Sequence, residues 1–458
     1  MQTWDRQQID FWTAAMPVEL WTLSAELTQA DRFLDDPTFL APLARHLDPV
    51  RGRPSLPMAQ VLRLFYLQDR YGLSDRVLIH EVADSFHWRR FCHLGVTDLV
   101  PHPTSLTKWR HRLGPAGIQA VNEAVTARLT AEKVIRGRRF RMDSTVTDAH
   151  IHHPTDAGLI ADGIRRLTRV AHQAHARVPE AAAQIRDRSR AVKQRILAIG
   201  KVLKRRMGDA VDQVRAITEE LARLGETQLR AVTAVGQALA AAVAAAGDQV
   251  PAAVARAQAR LTQAVDDLAT VITQSRAATA GQRIPDRVVS LADPDARPIK
   301  KGKLDHPVQF GYKVQIIEAE AGFITDYTVE QGNPADVEAL IPALDRHQKR
   351  FGRDPDIVAT DRGYDSVENQ RQCRTRPIRT VAIPKRGKKS AIRQQEEKRP
   401  AFRRAQRWRA GGEGTISRLK RGYGLRRTRY QGHDRVATGI GLGIFAHNVH
   451  RYTQRVAG

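Results

Sequence analysis

The chain has 458 residues, and 74 lysine and arginine residues against 49 aspartate and glutamate residues give it a formal net charge of +25 at pH 7. Its length suggests two to four domains and is enough to bury a sizeable core, and 42% hydrophobic residues indicate a globular chain. Two cysteines exclude a disulfide framework and a four-cysteine zinc site, so we expect a reducing cytoplasm.

The excess of positive charge indicates a polyanionic partner. Nucleic acid is the first candidate, because cations that neutralise phosphates release the counterions held there. A membrane surface is the second candidate, but no apolar run is expected to reach the length of a spanning helix. We therefore expect a nucleic-acid partner and no membrane.

The first 135 residues predict short helices. Apolar residues recur at helical spacing after residue 57, and a helix that starts near Thr104 with hydroxyl residues carries a basic face. Short helices with one basic member suit a helix-turn-helix-like DNA-binding region, with Lys108, Arg110 and Arg112 as its candidate DNA contacts. The alternative is a small helical bundle in which these three cations are merely solvated.

A strand with an acidic residue in its middle follows. Residues 138–150 alternate with a period near two, which places Arg141 and Asp143 on the same side of the strand. A carboxylate is costly to bury unless a cation meets it. Asp143 is therefore either a solvent-facing strand residue or part of a site.

Residues 157–282 differ from both flanking segments. Alanine, arginine and glutamine dominate there, and apolar residues recur at helical spacing. These features predict three or four long helices in antiparallel hairpins. The segment shows no catalytic constellation, and we expect a structural role or a clamp on DNA or on another subunit.

Strands resume after this helical segment. Residues 308–317 and 322–329 predict a hairpin, and residues 356–361 predict a short buried strand that ends in Asp361 before a glycine turn. The carboxyl ends of strands are where α/β sheets place ligand sites. Asp361 is therefore the second candidate acid.

A basic helical segment contains the third candidate acid, Glu413. Arg409, Glu413 and Lys420 share one helix face, which is either an ion-paired stripe or a site. Three glycines at positions 411, 412 and 414 surround this acid, and each costs about 1 kcal/mol inside a helix. We expect these glycines to admit something bulky, such as a DNA backbone.

The ordered set of these pieces resembles the DDE transposases of bacterial insertion sequences. The resemblance is greatest to the branch with a Tyr-Arg-Glu-Lys signature, in the ISNCY-like group. In this sequence Gln406 stands at the position of the signature's tyrosine, which puts that residue's phosphate contact in doubt. The matching pieces are Met142-Asp-Ser-Thr-Val146, Phe310-Gly-Tyr-Lys-Val314, Gly332-Asn-Pro-Ala-Asp336, Thr360-Asp-Arg-Gly-Tyr364, and Arg409, Glu413 and Lys420.

The resemblance implies an α/β fold with an RNase H-like catalytic core, a mixed sheet with flanking helices, in residues 136–156 and 283–458. Residues 1–135 would form the N-terminal helical DNA-binding region, and residues 157–282 would be an all-helical insertion between the first and second core strands. Asp143, Asp361 and Glu413 would be the catalytic acids and would hold two Mg²⁺ ions, for which Mn²⁺ may substitute. Arg409 and Lys420 would hold the scissile phosphate.

The implied function is a transposase that binds the terminal repeats of an insertion sequence and cleaves and joins double-stranded DNA. It would act as a homodimer in the synaptic complex and reside in the cytoplasm, associated with the nucleoid. Two alternatives stay open: an RNase H-like DNA nuclease without joining activity, and a catalytically inactive DNA-binding relic.

Overall fold

The computed structural model describes residues 11–48, 50–51, 55–179, 185–205, 208–246, 250–300 and 308–456. The chain divides into two compact units. The first unit contains the chain up to His150 and again from Ile299 onward, and the second contains Ile151–Pro298.

Six strands form one mixed sheet, in the order β2-β3-β1-β5-β6, and β4 also pairs with β3. Asp143 lies on β1, and Asp361 directly follows β5. β1 lies at the centre of the sheet, antiparallel to β3 and parallel to β5, and β5 is parallel to β6. The predicted hairpin is confirmed, because β3 and β4 pair antiparallel. The strands are β1 (Arg139–Asp148), β2 (Arg297–Lys300), β3 (Val308–Glu318), β4 (Ile324–Val329), β5 (Ile357–Thr360) and β6 (Thr380–Ala382).

Helices make up most of the remaining structure. In chain order they are α1 (Phe11–Ala14), α2 (Val18–Trp21), α3 (Ala25–Leu34), α4 (Ala41–Ala44), α5 (Met58–Tyr71), α6 (Asp75–Asp84), α7 (Phe86–Phe91), α8 (Pro103–Ala131), α9 (Asp156–His175), α10 (Ser189–Arg205), α11 (Ala210–Ala246), α12 (Ala252–Thr279), α13 (Asp336–Phe351), α14 (Val367–Thr375), α15 (Ala391–Lys398), α16 (Pro400–Ala410), α17 (Gly412–Gly422) and α18 (His433–Val456).

Helix α18 joins the N-terminal helices to the sheet within the first unit. It packs against α3, α5, α8 and β4. The Asn448 side chain accepts from the Ile324 N–H (3.0 Å) and donates to the Ile324 carbonyl (2.8 Å), which satisfies the backbone at the start of β4. Residues 1–135 are therefore part of the same compact unit as the sheet, and their separate DNA-binding role stays a prediction.

Helices cover both faces of the sheet, so burial does not alternate along β1 as its sequence suggests. On one face, Phe140 and Met142 pack against α13 and α14. On the other face, α16 packs against β5 and β6, and Arg141 is buried on this side of β1. A polar residue on β1 is therefore enclosed unless it lies at an opening between helices.

Four helices, α9 to α12, form the described part of the second unit, as the sequence predicts. Their core includes the fully buried Ile164, Leu221 and Leu268, which come from α9, α11 and α12. By length and composition alone, α11 is apolar enough to cross a membrane, which corrects the expectation that no run reaches that length. Only 17% of its most apolar stretch is buried, and α11 contributes Val235 and Leu239 to the core. One such helix is weak evidence for a membrane span.

Candidate functional site

The pairing of β1 with β5 brings two of the predicted acids together. The parallel register sets Met142 beside Thr360, so the next residues, Asp143 and Asp361, are neighbours on adjacent strands. Asp361 directly follows β5, and its carboxylate accepts from the Gly363 N–H (2.8 Å), which starts the turn Arg362–Tyr364. The strand-end position predicted for this acid is confirmed.

Arg409 connects the third acid to the first. Its Nη1 lies 3.4 Å from Asp143 Oδ2 and its Nη2 lies 3.4 Å from Glu413 Oε1. The Arg409 side chain is largely enclosed, whereas that of Glu413 is 70% exposed. Lys420 lies two turns further along α17 and is half-buried. The structure therefore brings Asp361, Arg409 and Glu413 close to Asp143, whose side chain is 26% exposed, and we call this partly exposed place the opening.

The site has more negative than positive charge. Burial, followed by the charges of Asp361 and Glu413, raises the pKa of Asp143, while Arg409 and the Ser144 N–H oppose the rise, and together these effects bring the pKa to about 6. The single arginine therefore does not compensate the acids fully. A bound cation would remove this surplus, and carboxylate oxygens are ligands that Mg²⁺ and Mn²⁺ prefer.

A second acidic group is already neutralised by the protein. Among the described residues, Asp31, Asp35 and His93 have ligand atoms that all lie within 4.8 Å of one another, which the three acids at the opening do not. The fully buried guanidinium of Arg63 donates to Asp31 (2.8 Å) and pairs with Asp35. The acids at the opening, which no full complement of cations neutralises, are therefore the better metal candidates.

Arg141 fixes the helix junction that carries Arg409 and Glu413. Its guanidinium pairs with Glu318 on the neighbouring strand β3 and donates to the Trp408 carbonyl near the end of α16. The same group lies 4.9 Å from the centroid of the Trp408 ring. Neither Arg141 nor Glu318 was predicted as a site residue, although the placement of Arg141 on the same side of the strand as Asp143 was a usable signal.

Two of the three glycines near Glu413 make room for Arg141. A Cβ atom at Gly411 or Gly412 would lie 3.2 Å from a guanidinium nitrogen of Arg141. The expectation that all three glycines admit DNA is therefore wrong for these two, because a protein side chain fills the space. Gly414 is different, since its Cβ position has nothing within 4 Å.

Gln406, at the position of the signature tyrosine, faces the sheet. Its Nε2 donates to the carbonyls of Thr360 (3.1 Å) and Ala382 (2.5 Å), at the ends of β5 and β6. The side chain thereby ties α16 to the strand end from which Asp361 follows. Its hydrogen bonds give this glutamine a structural role beside the site.

A polar network supports the turn after Asp361 from the other side of the sheet. Tyr364 donates to Gln315, and Gln315 Nε2 donates to Asp336 (2.8 Å). Lys313 Nζ lies 2.8 Å from the same Asp336 carboxylate. Burial, together with the charges of Asp336 and the two strand acids, holds the pKa of Tyr364 well above its usual range, so its hydroxyl stays protonated.

The basic face predicted near residue 108 contains two of the three expected cations. Lys108 and Arg112 are exposed and line an open groove with His46 and Arg51. Arg110 is buried instead, where it donates to Gln68 (2.8 Å) and pairs with Asp75. Two residues correspond to about 200° around a helix, so Arg110 points away from its neighbours and is no exposed DNA contact.

Two family models match the chain, and both describe transposase domains. Residues 20–112 match a transposase domain (DUF772), and residues 278–449 match a transposase DDE domain. The chain is 28% identical over 127 residues to "Uncharacterized protein ORF8 in nfe locus" of Rhizobium meliloti, which covers 26% of this chain and 59% of that protein. No solved structure matches the chain.

Proposed function

Since the chain carries two transposase-type domains, we propose that it is a DDE transposase of an insertion sequence, in the branch with the Tyr-Arg-Glu-Lys signature. It would bind the element's terminal repeats and catalyse DNA cleavage and strand transfer. The observation that carries this proposal is the gathering of Asp361, Arg409 and Glu413 around Asp143. The matched DDE domain contains Asp361 and Glu413, and β1 supplies Asp143 next to them.

An RNase H-like core is the fold that we assign to the sheet. On one side of the central β1 lies β3, antiparallel to β1, with β4 antiparallel to β3, and on the other side β5 and β6 run parallel to β1. This arrangement supports the assignment. The division into an N-terminal DNA-binding region (1–135), a core (136–156 and 283–458) and a helical insertion (157–282) is part of the same proposal. Lys108 and Arg112 would contact the element's ends.

The three acids would hold two Mg²⁺ ions, for which Mn²⁺ would substitute. Their oxygen-only donor set and the surplus of negative charge at the opening support this assignment. Bound ions would supply Lewis acidity for an in-line displacement at phosphorus. Arg409 would hold an oxygen of the scissile phosphate, which its position between Asp143 and Glu413 supports, and Lys420 would assist from the same helix face.

The proposed reaction has two displacements and needs no covalent protein–DNA intermediate. Water attacks the phosphodiester at the element's end, the bond from phosphorus to the 3′ oxygen breaks, and a 3′-hydroxyl is released. That hydroxyl then attacks a phosphodiester of target DNA and displaces its 3′ oxygen. Synapsis of two ends would require a homodimer, acting in the cytoplasm on nucleoid DNA.

A joining assay tests the proposal. The protein is mixed with a labelled duplex bearing the element's own end, a target plasmid, and Mg²⁺ or EDTA. We expect Mg²⁺-dependent joined product, which Glu413→Gln abolishes. Glu338→Gln is the control, because Glu338 is an exposed glutamate in the first turn of α13 and lies outside the site.

The other outcomes separate the alternatives. Nicking without joining, with the ends bound, would favour a nuclease. Binding without chemistry in either Mg²⁺ or Mn²⁺ would favour an inactive relic. If Glu413→Gln and Glu338→Gln give equal amounts of joined product, Glu413 is not one of the catalytic acids.

A further inference from the structure

Helix α10 in the second unit carries an unusual charge pattern. Its 17 residues include six lysine and arginine residues and no acid. Neither matched transposase domain includes this helix, since the matches end at residue 112 and resume at residue 278. Its charge therefore has no explanation in the site described above.

Five of these cations share one face of the helix. At about 100° per residue they fall within an arc of about 120°. All five side chains are exposed. They are Arg190, Lys193, Lys201, Lys204 and Arg205.

The opposite face of α10 is packed into the unit. Val192 is fully buried, and Ile196 and Ile199 lie against the same hydrophobic core. These three residues are centred roughly 180° to 240° around the helix from Arg190. The packing therefore fixes the direction of the cationic face toward solvent.

Several other cations of the second unit have acidic partners. Arg276 pairs with Glu219 (2.9 Å) and Glu226 (2.7 Å). Arg195, the sixth cation of α10, lies outside the arc and pairs with Glu220 (3.0 Å). Across the described residues, the five cations of the arc have no ion pair. Like charges three and four positions apart on a helix repel one another, so a polyanion that covers this face would relieve the repulsion and lower its free energy.

We propose that the cationic face of α10 binds the sugar-phosphate backbone of double-stranded DNA. The proposal rests on the proposed function only for the choice of DNA as the polyanion. From Arg190 to Arg205 the face extends for about 22 Å, and duplex DNA carries one phosphate per about 1.7 Å of its axis, so several contacts fit. An anionic membrane fits less well, because an interfacial helix inserts its apolar face, and here Val192, Ile196 and Ile199 of that face are packed, which leaves Leu197 and Leu203 as the exposed large apolar residues of α10.

The test compares two variants with equal loss of charge. Variant A carries Arg190→Gln, Lys193→Gln, Lys201→Gln and Lys204→Gln. Variant B, the matched control, replaces four exposed arginines on α11 and α12 by glutamine. Glutamine is a good helix former, and thermal unfolding by circular dichroism verifies that both variants fold. The four control positions are Arg215, Arg223, Arg256 and Arg260.

Affinity for a duplex of unrelated sequence is measured between 50 and 200 mM salt. Each phosphate contact contributes about 0.9 to the slope of log affinity against log salt, so variant A should lower this slope by about 3 to 4. Across that salt range, the intact protein should then lose roughly 100-fold more affinity than variant A does. Variant B should change the slope by less than about 1.

A second measurement uses the unaltered protein. Bound duplex should protect Lys193, Lys201 and Lys204 from acetylation, as read by mass spectrometry. Equal slopes for the two variants, or equal acetylation with and without DNA, would overturn the proposal. So would a variant A that loses binding to phosphatidylglycerol vesicles but keeps its DNA slope. These assays need no catalysis, so a failed joining reaction and a failed α10 contact remain distinguishable.

Discussion

Replacing Arg141 by methionine would leave the carboxylate of Glu318 in the interior without its guanidinium partner, with the Thr415 hydroxyl and the charge of Arg418 as its remaining support. Arg141 is 8% exposed and Glu318 is 3% exposed. Burial raises the pKa of Glu318, and the charge and hydrogen bond of Arg141 oppose that rise. Removing one partner of a buried ion pair costs about 3 to 5 kcal/mol, so we expect Arg141→Met to lower the free energy of unfolding by that amount at neutral pH.

The loss should depend on pH. Because the folded-state pKa of Glu318 lies above its unfolded value, protonation of this group favours the folded state, and that contribution disappears as pH rises through the folded pKa. Removing Arg141 raises this pKa further. Urea unfolding between pH 5 and 8 measures the difference in free energy of unfolding between the parent protein and the variant. This difference should be small in acid and grow as the pH rises.

Arg141→Met/Glu318→Leu is the control for this reasoning. It removes both charges, and replacing a buried ion pair by apolar residues is often neutral, so most of the lost stability should return. Joining activity should not return, because the Trp408 carbonyl still lacks its donor and the helix junction carrying Glu413 is released. A loss that is equal at every pH and persists in the double variant would show that the ion pair is not its cause.

Five other substitutions test the roles of neighbouring residues. Asp143→Asn should abolish joining, yet it should stabilise the metal-free protein at pH 8 by about 2 to 3 kcal/mol in thermal unfolding. A carboxyl pKa raised from 3.8 to about 6 destabilises the folded state at pH 8, and this cost is absent in acid, where the group is protonated. Gly414→Ala should add about 1 kcal/mol to the free energy of unfolding in urea, and Gly412→Ala should show no such gain because its Cβ meets Arg141. Arg110→Met should lower stability by about 3 kcal/mol, whereas Lys108→Gln should leave urea unfolding unchanged and weaken binding to end DNA.

The positions of the acids could be predicted because each one interrupts a local pattern. Asp143 stands inside an alternating strand, Asp361 ends a buried strand, and Glu413 is surrounded by glycines and cations. Their proximity was not a local property. It depends on the parallel pairing of β1 with β5, whose partners are more than 200 residues apart and separated by the second unit. The resemblance implied this arrangement, and periodicity alone did not.

The residues that hold the site in place were missed for the same reason. Arg141 pairs with Glu318, and Gln406 donates to strand ends, through contacts between distant parts of the chain. Gly411 and Gly412 were interpreted as space for a ligand, because the sequence does not show that a side chain fills that space. Arg110 is a different case, since helical spacing already places it about 200° from Lys108.

The charge at the site opposes the charge of the whole chain. A net charge of +25 attracts DNA, but three carboxylates against Arg409 repel a phosphate brought to the opening. Two divalent cations would reverse that local sign, so metal binding should control the docking of the scissile phosphate as well as its chemistry. We expect a duplex with a neutral methylphosphonate at the scissile position to bind better than the natural duplex in EDTA and worse in Mg²⁺. Binding measured by fluorescence anisotropy decides this, and the same preference under both conditions would contradict the assigned metal site.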